Sequence, residues 1–149
     1  MRSRRTFLAG SAGAAACILV RPANLLAQDD SLAAAVHRYR GDASVREGRV
    51  RIDIAPLVDN GNSVPIDVTV ENPITVSNYV AGIAIFNEKN PQRDVAVFTL
   101  GPRTGRAHVA TRIRLATTQK VVAVAKMSDG SCWMHTVEVL VTLAACIEE

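Results

Sequence analysis

From Val50 onward, apolar side chains return at every second residue. Val50, Ile52 and Ile54 alternate with Arg51 and Asp53. After the turn-forming Asp59-Asn60-Gly61-Asn62, the series Val64, Ile66, Val68 and Val70 alternates with polar or proline positions. That spacing places side chains on one face of a strand and is incompatible with the 3.6-residue period of a helix. Glu71-Asn72-Pro73 closes the second run. Tyr79 to Phe86 is apolar on both faces, as in a central strand or one covered by a partner. Val95 to Leu100, Val109 to Leu115, Val121 to Met127 and Cys132 to Leu143 bring the expectation to about seven strands at sandwich spacing. Ser31 to Arg40 is the one helical candidate, with Ser31 as its cap and Gly41 as its stop. With no long helix between strands, a parallel βαβ sheet is excluded. The pattern predicts an all-β chain: an immunoglobulin-like antiparallel β-sandwich behind a short N-terminal helix, over residues 28–143.

The last hairpin can be placed more closely. Asp129-Gly130 is a strong two-residue turn signal and predicts that Ser128 faces Ser131. In that register Val124 faces His135, Val122 faces Val137 and Lys126 lies beside Trp133. Alternation puts Trp133, His135, Val137, Val139, Val141 and Leu143 toward the core, and Cys132, Met134, Thr136 and Glu138 the other way. The core is expected to hold this strand almost to its end. Residues 144–149, Ala144-Ala145-Cys146-Ile147-Glu148-Glu149, then form a flexible tail that extends at most about 20 Å.

Residues 1–27 read as an export address. Ser3-Arg4-Arg5-Thr6-Phe7-Leu8 is a twin-arginine pattern, followed by an apolar stretch from Ala9 to Val20 and a candidate cleavage site at Leu25-Leu26-Ala27. The stretch is shorter than the roughly 20 residues of a membrane span, so membrane insertion is not expected. Ala14-Ala15-Ala16-Cys17 lacks the leucine usual three positions before a lipidated cysteine. The expectation is an exported, periplasmic protein. The address also distorts the formal charge of +3: it holds four arginines and no acid, and without it 13 basic residues face 14 acidic ones. A nucleic-acid protein held by phosphate contacts needs a basic excess, so that class is set aside.

Two cysteines remain, Cys132 and Cys146. In an oxidising compartment a disulfide is the ordinary expectation. If residues 132–143 form one strand, however, its ends lie about 36 Å apart. The residues after Leu143 reach only about 10 Å, so an intramolecular bridge is disfavoured. Cys132 reads as an inert strand cysteine or a contact to a partner chain. Cys146 reads as a thiol on a tether. His37, His108 and His135 show no metal-binding spacing, so no metal, cofactor or catalytic residue is assigned. His135 reads as a hydrogen-bonded core histidine. A Cys146–His nucleophile pair would need a fixed geometry that a mobile tail does not supply. Arg112 and Arg114, with Arg103 and Arg106 just before them, read as a solvated face or as steering for anions or acidic partner surfaces.

Taken in order and spacing, several segments resemble the SoxY family, the sulfur-carrying subunits of bacterial thiosulfate oxidation. They are the twin-arginine start, Asp59-Asn60-Gly61-Asn62-Ser63-Val64-Pro65, Glu88-Lys89-Asn90-Pro91 and Phe98-Thr99-Leu100-Gly101-Pro102. The series continues with Thr111-Arg112-Ile113-Arg114-Leu115-Ala116, Val121-Val122-Ala123-Val124 and Val141-Thr142-Leu143. The resemblance implies an immunoglobulin-like fold, a heterodimer with a SoxZ-like subunit, and a swinging arm whose cysteine, here Cys146, carries sulfur covalently. It also implies transient partners: a c-type cytochrome that couples thiosulfate to the cysteine, a hydrolase that releases sulfate, and an enzyme that oxidises the remaining sulfane sulfur. The chain itself would be a carrier and not an enzyme. The family arm ends Gly-Gly-Cys-Gly-Gly, whereas this one has alanines before the cysteine and Ile147-Glu148-Glu149 after it. Alanine is stiffer than glycine, Ile147 is bulky, and the acids with the terminal carboxylate disfavour the thiolate and repel thiosulfate. Two other readings stay open: an assembly subunit whose altered tail is structural or makes an intermolecular disulfide, and a thiol enzyme.

Overall fold

The computed structural model describes residues 31–71 and 75–144. Its elements are α1 (Leu32–Arg40), β1 (Val45–Glu47), β2 (Val50–Asp53), β3 (Leu57–Asn60), β4 (Val64–Val70), β5 (Val80–Asn87), β6 (Asp94–Thr99), β7 (His108–Ile113), β8 (Gln119–Met127) and β9 (Cys132–Leu143). A large sheet runs β1-β9-β8-β5-β6, with β3 also paired to β9, and a three-stranded sheet runs β2-β4-β7. This is the expected sandwich. Seven of the strands are those read from the alternation. β1 and β3 are additions of three and four residues, each pairing parallel to β9. Their hydrogen-bonding partner is distant in sequence, and runs this short carry no period of their own. β3 continues into the stretch expected to be turn; the turn follows it, where the Asn60 side chain accepts from the Asn62 N–H at 2.9 Å.

The main core lies between the sheets. Val50, Ile52, Val64, Ile66, Val68 and Val70 face it from the small sheet, and Ile83, Ile85, Val121, Ala123, Ala125 and Val139 from the large one. The two-faced strand is explained by the chain itself. β5 is central, between β8 and β6, and its second face is covered by α1. Leu32, Ala35, Val36 and Tyr39 recur at the i, i+3, i+4, i+7 spacing of one helix face and pack with Ala84, Phe86, Val122, Val124 and Cys132. Tyr39 meets Phe86 edge-on, with centroids 6.0 Å apart. Ser31 accepts from the Ala34 N–H, and Gly41, at φ 63°, ends the helix as expected.

The last hairpin corrects one expectation. Lys126 pairs with Cys132, Val124 with Met134 and Val121 with Val137, one residue away from the predicted register. The loop has three residues rather than two. Gly130 N–H donates to the Met127 carbonyl, and Gly130 then takes φ 85° before Met127 N–H donates to Ser131. This is a turn followed by a left-handed glycine bulge. Asp129 selects it by accepting from both the N–H and the hydroxyl of Ser131, at 2.9 and 2.7 Å. These bonds hold the Asp129 carboxyl below its ordinary range. The faces of β9 are as expected even so: Trp133, Val137, Val139 and Val141 meet the main core, and Cys132 and Met134 lie under α1. Leu143 is the exception. It is 61% exposed, because β8 starts at Gln119 opposite Val139 and leaves the end of β9 with β3 as its neighbour.

Replacing Gly130 with alanine forces a side chain into a left-handed backbone and is expected to cost about 1 kcal/mol, read as a lower urea midpoint. At Gly82 an added Cβ would lie 2.9 Å from the Tyr39 hydroxyl and 3.1 Å from the Phe98 carbonyl. Gly82→Ala is therefore expected to cost about 1–3 kcal/mol and to loosen α1, measurable as faster amide exchange in residues 32–40.

Candidate functional site

The residues singled out for chemistry are placed far apart. His37 is exposed on α1. His108, at the start of β7, bonds Asp67 at 2.8 Å on the outer face of the small sheet. His135 accepts the Ile52 N–H at its Nδ1, 3.1 Å away, which fulfils the reading of a hydrogen-bonded core histidine, although it is only part-buried. Among the described residues, no group of three His, Cys, Asp or Glu side chains is placed to hold a metal ion.

Cys132 is a fully buried free thiol at the start of β9. Burial pushes its pKa above the ordinary 9.0, opposed by the charges of Lys126 and Arg40. It is protonated and enclosed at neutral pH, which makes it the inert strand cysteine of the two readings. Tyr39 over the same cluster is pushed up to about 12, by burial first and by the neighbouring Cys132 second.

Cys146 lies outside the described residues, but the point from which the chain departs toward it is well defined. The Leu143 carbonyl accepts from Gly61 N–H at 2.9 Å, and the Gly61 carbonyl accepts from Leu115 N–H at 2.8 Å. One residue thus ties the end of β9, in the large sheet, to the segment after β7, in the small one. Thr142 Oγ1 donates to the Asp59 carbonyl at 3.1 Å, and Val141 N–H donates to Thr118 Oγ1 at 2.9 Å. Behind this root lies a polar knot. Asn90 donates to the Arg114 carbonyl at 2.8 Å and accepts from Ala116 N–H at 2.9 Å and from Gln119 Nε2 at 2.7 Å. Buried Gln119 in turn accepts from Lys89 N–H at 2.8 Å.

Four separate sequence segments therefore meet at one end of the sandwich: 59–65, 88–91, 111–116 and 141–143. The Phe98-to-Pro102 segment is at the other end, since Thr99 pairs with Gly82 while Asp94 pairs with Phe86 beside the 88–91 loop. Arg112 and Arg114 are exposed at the root end, and Arg112 Nη1 donates to Ser63 Oγ at 3.3 Å. Arg103 and Arg106 precede β7 and are not part of this group.

A protein-family model described as "Sulfur oxidation protein SoxY" matches residues 36–146, most of the chain, from within α1 through Cys146. The chain belongs to the SoxY family. Among curated proteins, none matches it. Solved structures show the same architecture in superoxide reductases. A superoxide reductase (neelaredoxin) from Ignicoccus hospitalis aligns with TM-score 0.59 and 11% identity over 65% of this chain and 94% of that one. A putative superoxide reductase from Thermotoga maritima aligns with TM-score 0.54 and 19% identity over 69% and 89%. The one from Nanoarchaeum equitans aligns with TM-score 0.54 and 12% identity over 65% and 99%. At these identities the likeness concerns the fold alone. SoxY membership gives the chain a role in sulfur oxidation, in a family of carrier subunits.

The geometry of this SoxY domain yields two expectations. Asn90→Ala leaves Gln119 Nε2 short of an acceptor in a buried site, and is expected to cost about 1–3 kcal/mol and to speed exchange of the Ala116 amide. The second concerns alkaline pH. A group that holds its proton more tightly when folded contributes stability that is fully present below its unfolded pKa and is lost as pH rises toward the folded value. Stability is therefore expected to fall from about pH 9 as Cys132 comes into range, and further between pH 10.0 and about 12 through Tyr39. Urea midpoints measured against pH should show this decline, and Tyr39→Phe should flatten its upper part.

Proposed function

We propose that this SoxY-family chain is a periplasmic covalent sulfur carrier and that Cys146 is the point of attachment. The observation behind the reading is the arm root: the fold holds the chain firmly to Leu143, and the thiol follows three residues later. At about 3.6 Å per residue it stays within roughly 11 Å of Leu143. The opposite end of β9, where Cys132 is buried, is about 36 Å away, so the two thiols are kept apart by the strand between them. Tethering keeps a reactive sulfur species at high effective concentration for enzymes that act in turn.

The chemistry balances as follows. The Cys146 thiol and thiosulfate join as R–S–S–SO3−, releasing one proton and passing two electrons to a c-type cytochrome. Water then cleaves the S–SO3 bond, giving sulfate, a proton and the persulfide R–S–SH. An oxidising enzyme acts on the sulfane sulfur that remains. No side chain of the sandwich takes part in these steps; its contribution is to present the sulfur.

A SoxZ-like subunit is the proposed stable partner. Leu57 and Leu140 pair across β3 and β9, are 56% and 51% exposed, and offer apolar surface near the root for a second chain to cover. The same surface favours the second reading, an assembly subunit whose tail forms an interchain disulfide. Export through the twin-arginine segment, which lies outside the described residues, belongs to the same proposal.

The test is intact-mass measurement of the complex after incubation with thiosulfate and the oxidising cytochrome. The expected result is a mass gain matching a thiosulfonate or persulfide, mapped to Cys146 and abolished in Cys146→Ser. A stable interchain disulfide through Cys146 on non-reducing electrophoresis, with no adduct, would select the assembly reading.

A further inference from the structure

The open edges of the two sheets are not equivalent. An edge strand leaves a row of backbone N–H and C=O groups without partners, and proteins blunt such edges by keeping them short or charged. Among the described residues, β9 is flanked by β1 and β3, of three and four residues, which carry Arg46, Glu47 and Asp59. In the small sheet, β2 has four residues and carries Arg51 and Asp53, and β7 carries His108 and Arg112. β6 is the exception. It ends the large sheet beyond β5, and from Val95 to Leu100 it has no charged residue, proline or glycine. Leu100 N–H donates to the Ala81 carbonyl, in the same register that pairs Phe98 with Ile83 and Ala96 with Ile85. Alternate residues of an antiparallel strand bond to opposite sides, so the N–H and C=O of Val97 and Thr99 point away from β5. The Val97 side chain is 59% exposed. This edge therefore joins outward-facing backbone to an exposed apolar side chain.

We propose that β6 pairs antiparallel with β6 of a second copy of this chain, about a two-fold axis at Val97, so that the two large sheets become one. The strand itself selects this occupant. Its pairable length runs from Asp94 to Leu100, where the turn begins in which Thr104 N–H donates to the Gly101 carbonyl at 3.0 Å. Val97 is the midpoint, so a two-fold there uses the whole strand in both copies without overhang. It also sets Val97 opposite Val97 in a pair that exchanges both backbone bonds. The charges agree: Asp94 falls opposite Leu100 and Arg93 opposite Gly101, whereas a parallel pairing would set Asp94 beside Asp94. Asp94 already meets Arg38 at 3.7 Å, and Arg93 donates to the Asn90 carbonyl. The register shifts by one residue at Val95, which bends that end and concentrates the pairing on Val97. Val97 lies opposite Ala84, on the face that α1 covers. α1 packs on β5, β8 and β9, so the two helices lie at least three strand spacings apart, about 14 Å, which accommodates helices about 10 Å across. The other edge of the large sheet, with Leu57 and Leu140, stays open for the proposed SoxZ-like subunit. No part of the inference involves Cys146, so it stands apart from the carrier reading.

Sedimentation velocity of the full chain, with Cys17→Ser and Cys146→Ser to remove disulfides through those thiols, reads the dimer directly. One strand pair is a small interface, so the expected result is a reversible monomer–dimer equilibrium with a Kd of about 10–100 μM. Val97→Lys sets two like charges opposite each other, and Val97→Pro removes the central outward N–H while sparing the bonds to β5. Each is expected to raise the Kd at least about tenfold. Val76→Lys, at an exposed apolar residue off the strand, should leave it unchanged. Val97→Cys should form an interchain disulfide under mild oxidation, since the opposed Cα atoms lie about 5.5 Å apart. In amide exchange, Val97 should gain protection as concentration rises, while Phe98, which faces Ile83, is protected throughout. Thermal unfolding checks that each variant keeps its fold. A chain that stays monomeric at about 100 μM, or a dimer that both Val97→Lys and Val97→Pro leave intact, overturns the proposal. So does a one-to-one complex with a SoxZ-like subunit that shields the Val97 amide, an outcome that assigns the edge to that subunit.

Discussion

The backbone of Gly61 is the connection on which the Leu143 end of the sandwich depends. It donates to Leu143 and accepts from Leu115, so the last residue of the large sheet is fixed to the small sheet by two backbone bonds in series. Side-chain packing has already weakened there: Val139 is fully buried, whereas Leu143 is mostly exposed. Without the Gly61 bridge, β9 beyond Val139 would rely on its short pairing with β3 and on the bond from Val141 to Thr118. Here backbone hydrogen bonds supply fixity where apolar burial has run out.

The same end is held rigid by polar groups. Asn90 and Gln119 satisfy each other and the backbone of the loop after β7. A buried polar network of this kind is stabilising only when its members are satisfied, and it fixes one loop geometry against alternatives. The consequence is mechanical. Arg112, Arg114 and Ser63 sit on a platform whose backbone is tied down. α1 plays a comparable part on the other face of the large sheet, enclosing the free thiol of Cys132.

The superoxide reductases share the sandwich at 11 to 19% identity, and the SoxY family model spans the chain to Cys146. A shared architecture does not imply a shared function, and at these identities the likeness stops at the fold. In the carrier reading of this chain, the reactive group follows the last strand in sequence.

Much of the fold is legible in the sequence because alternation is a local property. The strands from Val50, the caps Ser31 and Gly41, and the core face of β9 follow from side-chain period and turn chemistry, which neighbouring residues set among themselves. The register of the last hairpin differs by one residue from the expectation, because Asp129 accepts from Ser131 and selects a three-residue loop that Asp-Gly alone does not announce. The second cover of β5 is equally hidden: periodicity shows that two faces are apolar but not whether a partner or the chain's own helix fills them. The end of the last strand at Leu143 is readable from sequence, since it depends only on where the apolar alternation stops. That segments 59–65, 88–91, 111–116 and 141–143 converge on one end, with Arg112 and Arg114 there and Arg103 and Arg106 excluded, was decided by tertiary structure. Strand order and the Gly61 bridge to Leu143 bring together residues far apart along the chain, and no local pattern encodes that proximity.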